Sequence, residues 1–66
     1  MTTYKHIVQV HPVENGEPNL YKVELEREYD TWKEAMEYVE HFNAHTKGGV
    51  EAVYHGRVND ETGELE

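Results

Sequence analysis

The sequence predicts an α+β domain in which one amphipathic helix packs on one face of a three-stranded antiparallel sheet, in the element order ββαβ and the spatial order 2-1-3. Three observations lead there. Only residues 31–47 repeat apolar side chains at helical spacing, namely Trp32, Ala35, Met36, Val39 and Phe42. Two stretches before the helix and one after it alternate polar and apolar residues, the period of a strand. Finally, setting the last strand beside the first makes every neighbouring pair antiparallel and avoids a parallel crossover, with 1-2-3 as the rival order.

The first strand covers 4–10, with Tyr4, His6, Val8 and Val10 on one face and Lys5, Ile7 and Gln9 on the other. The second covers 20–27, with Tyr21, Val23 and Leu25 against Lys22, Glu24 and Glu26. Between them lies Asn15-Gly16, a pair that accepts the positive φ angles of the tightest hairpin turn. That turn sets Val10 opposite Tyr21, Val8 opposite Val23, His6 opposite Leu25 and Lys5 opposite Glu26. Pro12 and Pro18 lack donors, and Glu14 would face Glu17, so the tip from 12 to 19 is expected to be partly irregular.

Thr31-Trp32-Lys33-Glu34 has the form of a capping box, and Asp30 and Glu34 put negative charge at the positive end of the helix. Lys47 suits the other end, where Gly48 or Gly49 can close the helix in a left-handed conformation. The apolar stripe is expected to face Val8, Val10, Val23 and Leu25. In the third strand Val50, Ala52, Tyr54 and Val58 are expected inward, and Gly56 interrupts that face where a bulge or a close approach would suit it. Residues 1–58 then form one small domain, and the acidic stretch 59–66 is expected to fray.

The chain has 66 residues, too few for a large core, and no cysteine to staple it. Self-association is the supplement that remains, so a homodimer is expected, with Tyr38 and Phe42 at its interface. No basic leader and no membrane-length apolar run is present, and the chain is expected to be a complete soluble protein of the cytoplasm. Fourteen acidic against six basic residues give a net charge of -8, which opposes nucleic acids and anionic membranes. An acidic mimic of DNA is the narrower reading of that charge. Lys22, Arg27, Lys33, Lys47 and Arg57 interleave with the acids and favour a plain solvated surface.

Catalysis is not expected. There is no Cys or Ser nucleophile, and Gly48-Gly49 follows a helix where a phosphate cradle would precede one. The predicted outer sheet face lacks the aromatic platform of single-strand RNA readers. Among the histidines, His6 points inward near Leu25 as a hydrogen-bonded residue at the rim of the core. Glu37, His41 and His45, one helical turn apart, can present a carboxylate and two nitrogens to a divalent metal, which gives the alternative of a metal-stabilised domain. The leading expectation needs no cofactor: a small acidic interaction protein that binds another protein, a class that includes accessory factors of viruses and mobile elements.

Overall fold

The computed structural model describes residues 2–66. In chain order it has β1 (Tyr4–Glu14), β2 (Glu17–Pro18), β3 (Leu25–Tyr29), α1 (Trp32–His45) and β4 (Val50–Asn59). It is an antiparallel sheet with one helix, 14 Å across its thinnest dimension, which is room for one sheet layer and one helix layer. The long β1 is central, with β3 and β4 both antiparallel to it. The short β2 is a fourth strand that the sequence did not predict, and β1 runs four residues further than the predicted first strand.

Asn15-Gly16 forms the expected tight turn, with φ of 57° and 83°, and the hairpin is regular at its tip, pairing Glu14 with Glu17 and Val13 with Pro18. The irregularity comes afterwards. The ladder resumes with Val10 opposite Leu25, not Tyr21; Val8 meets Arg27, not Val23, and His6 meets Tyr29, not Leu25. Glu26 lies opposite Gln9, not Lys5. Residues 19–24 are looped out between the two pairings. Asn19 starts the excursion with an Asx turn, its side-chain oxygen accepting from the Tyr21 amide at 3.0 Å. Glu24 ends it by donating its amide to the Val10 carbonyl at 2.7 Å.

The helix begins with the N-cap half of the expected capping box, while Glu34 takes the Thr31 hydroxyl in place of the Thr31 amide. Thr31 Oγ1 accepts from the Glu34 amide at 3.1 Å, and the hydroxyl in turn donates to the Glu34 carboxylate at 3.0 Å. Thr31→Ala is expected to cost about 1 kcal/mol, read as a lower urea midpoint at unchanged slope. The far end differs from expectation. Thr46, in extended conformation, caps the helix by donating its amide to Phe42, and the positive-φ Gly48 and Gly49 form the turn into β4.

Val8, Val10, Ala35 and Ala52 make the fully buried core, with Tyr29, Tyr38, Val39, Phe42, Val50 and Tyr54 packed around it. Two alanines at the centre let the helix settle close to the sheet. It lies chiefly over β4. Of the three long strands, β3 is the one the helix covers least, through Tyr38 on Tyr29. That is why Trp32 is 57% exposed and Leu25 44%, although both were expected to pack inward; Val23, in the excursion, is 48% exposed.

The pairing of β1 with β4 shifts register between Ile7 and Val8: Val8 faces Tyr54, whereas Ile7 faces Gly56. The bulge anticipated at Gly56 is therefore present, with His55 as the additional residue. It reverses the facing of the strand beyond it, so Val58 pairs with Lys5 on the outer face instead of pointing inward. Gly56 has φ of 150°, and a Cβ there would come within 2.9 Å of the Glu66 carbonyl oxygen. The closing acidic residues, expected to fray, run back along β4. Val58 bridges Leu65, and Glu66 donates its amide to the Arg57 carbonyl at 2.7 Å.

Candidate functional site

The residues that sequence reasoning proposed as sites are scattered. On α1, His41 and His45 stack with ring centroids 4.3 Å apart. Glu37, one turn earlier, lies 4.0 Å from the Lys33 ammonium. Among the described residues, no three His, Asp or Glu side chains gather closely enough to hold a metal ion. Tyr38 and Phe42 stack at 5.8 Å, and Tyr38 continues onto Tyr29 at 5.7 Å. Both are half-buried against the core, and the Arg27 guanidinium lies 5.1 Å from the Tyr38 ring. His6 is half-buried as expected, and its Nδ1 is 2.8 Å from the Tyr54 hydroxyl.

At the start of β1 an open cleft of about 520 Å³ is lined by Thr3, Tyr4, Lys5, His6, Asp30 and Asp60. Lys5 bonds Asp30 across it. That hydrogen bond, and then the lysine charge, hold the Asp30 carboxyl below the usual carboxylate range, and the same contact raises Lys5. Asp30 thus contributes stability that is fully present above the ordinary carboxylate value and is lost as pH falls through its lowered one. Lys5 contributes below the ordinary lysine value and loses its share as pH rises through its raised one. Asp30→Asn should therefore lower the melting midpoint slightly near neutral pH, and the variant and parent curves should converge in strong acid. The pair is solvent-exposed, so the effect is small.

His11 is a residue that sequence pattern alone does not single out. Strand alternation puts it with Ile7 and Gln9 on the face away from the helix, yet it is only 2% exposed. The 19–24 excursion covers it, and the ring's Nδ1–H donates to the Lys22 carbonyl at 2.6 Å. Asn19 and Lys22 also hold Glu14, at 2.7 and 3.7 Å, and those contacts lower the Glu14 carboxyl, the Asn19 bond most. The excursion is thus pinned from beneath, and its apolar side chains are turned to solvent: Leu20 is 62% exposed and Tyr21 wholly so. Of the six exposed large hydrophobics among the described residues, five lie within 20–32.

The two edges of the sheet differ. On β4, the Asn43 side chain reaches down from the helix and occupies the outward backbone groups of Ala52, accepting from its amide at 2.8 Å and donating to its carbonyl at 3.0 Å. Further along, the closing turn occupies Arg57 and Asn59, with Glu66 and Glu64 as partners. On β3 no strand lies beyond β1, and among the described residues no turn, loop or side chain bonds its backbone from outside. Alternate residues of such a strand turn N–H and C=O groups outward unpaired.

Along β3 Glu26 and Glu28 lie on the outer face, flanked by Glu24 before the strand and by Asp30, which bonds Lys5 on that face, after it. Alternation already sets Glu24 and Glu26 on the polar face, and the row is longer because β3 runs on to Tyr29. Gln9 donates to Glu26 at 2.9 Å, and Lys5 takes Asp30. Among the described residues no lysine or arginine bridges Glu24, Glu26 or Glu28. No helix among the described residues is long and apolar enough to cross a membrane. Comparison of the chain with models of protein families, with curated proteins and with solved structures finds no match.

Proposed function

We propose that this is a non-enzymatic interaction protein that self-associates and acts by binding another protein. The observation that carries the reading is that five of the six strongly exposed large hydrophobics among the described residues lie between residues 20 and 32, in the loop before β3, on β3 and at the start of α1. A chain of 66 residues with so small a core gains from covering that surface. Trp32 and Tyr21 are suited to it, since each buries a large ring and carries a polar group.

Sedimentation equilibrium over a wide concentration range tests self-association. A dimer is expected that Trp32→Glu converts to monomer, and Tyr38→Glu reports separately on the Tyr38–Phe42 flank. A monomer mass persisting at high micromolar concentration overturns self-association. The hetero-partner is sought by placing a photo-crosslinking side chain at Tyr21 and irradiating in a lysate of the source organism. Failure to capture any protein overturns that part of the reading.

The row Glu24, Glu26, Glu28 and Asp30 supports a second reading, an acidic decoy for a nucleic-acid-binding protein. Competition between this chain and DNA for the captured partner distinguishes the two.

A further inference from the structure

We propose that the open edge of β3 accepts an extended, basic segment of the partner protein as an additional strand, an assignment that rests on the protein-binding reading above. An open edge offers a row of unpaired donors and acceptors at strand spacing, and an extended peptide satisfies them with its own backbone. The opposite edge is largely occupied, because Asn43 already holds both backbone groups of Ala52 and the closing turn holds Arg57 and Asn59. The fold interrupts one edge of the sheet and leaves the other available along its length.

The side chains of β3 specify what the incoming strand carries. Residues directly opposite each other in a sheet share a face. On the outer face the incoming strand therefore meets Glu26 and Glu28, flanked by Glu24 and Asp30, and lysine or arginine at alternate positions complements them. On the other face it meets Leu25, 44% exposed, Arg27 and Tyr29. Arg27 is turned toward the rings of Tyr29 and Tyr38, at 6.0 and 5.1 Å, and so does not neutralise the carboxylates across the sheet. Apolar residues at the intervening positions fit beside Leu25 and Tyr29. The partner segment thus alternates basic and apolar residues over about the length of β3, five residues.

A second copy of β3 does not fit this edge. A two-fold axis normal to the sheet pairs outer face with outer face, and in every register it sets members of the row Glu24, Glu26, Glu28 and Asp30 opposite one another. Like charges directly opposed across a ladder are destabilising. Self-association therefore uses other surface, and the edge stays free for a chain of the opposite charge.

The test is a titration of the isotope-labelled protein with a blocked peptide of alternating lysine and valine, followed by NMR. Shifts and new amide protection confined to 24–30 are expected. Glu26→Lys combined with Glu28→Lys should weaken binding about tenfold or more, two exposed pairs lost and turned repulsive. The same double variant should gain binding to a peptide of alternating glutamate and valine, which shows that it remains folded. Methylating alternate backbone amides of the lysine peptide keeps its charge and removes the donors of one edge, and should abolish binding. Equal binding of the methylated peptide, shifts centred on the helix, or no binding at all would each overturn strand addition. A crosslink from Tyr21 or loss of the dimer in Trp32→Glu would then still uphold protein binding, so the two readings fail separately.

Discussion

Val8→Asp is expected to abolish cooperative unfolding altogether. Val8 is wholly buried in the central strand, with Arg27 opposite it on one side and Tyr54 on the other. It packs in the cluster with Val10, Ala35 and Ala52. A carboxylate there is taken out of water among apolar side chains, with its basic neighbour Arg27 engaged with the Tyr29 and Tyr38 rings, and either stays charged or takes up a proton, each costing several kcal/mol. A chain of 66 residues has only about 3–10 kcal/mol in total. Calorimetry and near-UV circular dichroism should show neither a heat-absorption peak nor fixed aromatic signals. Val8→Ala, which only leaves a small cavity, should keep the transition at a lower midpoint. A cooperative melt in Val8→Asp would mean that the helix does not pack on this face of β1.

His11→Ala is expected to have the next largest effect, about 2–4 kcal/mol, from the volume of a fully buried ring together with the hydrogen bond to the Lys22 carbonyl. The consequence is local as well as global. Without the ring the 19–24 excursion loses its floor, and the Glu24 amide, bonded to Val10, should exchange with solvent faster than in the parent. His11→Phe restores volume without the donor and should recover part of the stability but not the protection. An effect of His11→Ala below about 0.5 kcal/mol would show that the excursion stands without it.

The helix, its capping residue, the Asn15-Gly16 turn and the bulge at Gly56 were all legible in the sequence, because each depends on residues within a few positions of one another. The order with the first strand central also agrees with the structure, although the sheet has a fourth short strand. The register of β3 was hidden for a specific reason. An offset of four residues is even, so Tyr21, Val23 and Leu25 and their replacements Leu25, Arg27 and Tyr29 have the same parity and would face the same way. Alternation cannot tell the two apart. What selects the observed register is long-range: Tyr29 reaching Tyr38, Asp30 reaching Lys5 and Glu26 reaching Gln9. Asn19 is the one local sign of a turn, and its nearness to Asn15-Gly16 assigns it to the hairpin tip. His11 and Asn43 gave no sign, since the burial of one and the bonds of the other are made by segments distant in the chain or across the helix–sheet gap.

Asn43 has a further effect, on how many molecules can be joined. A chain with two free edges is bifunctional: the β3 edge of one copy and the β4 edge of the next are unlike surfaces, and joining unlike surfaces does not close on itself but propagates. With its amide on Ala52, Asn43 removes one of the two functions together with the closing turn, which holds Arg57 and Asn59. Asn43→Leu combined with deletion of residues 64–66 frees the Ala52, Arg57 and Asn59 backbones, and is expected to turn a solution of discrete particles into growing filaments, detected by a lag phase in light scattering. In the language of polymer chemistry, one side-chain amide and one turn make this protein a chain stopper.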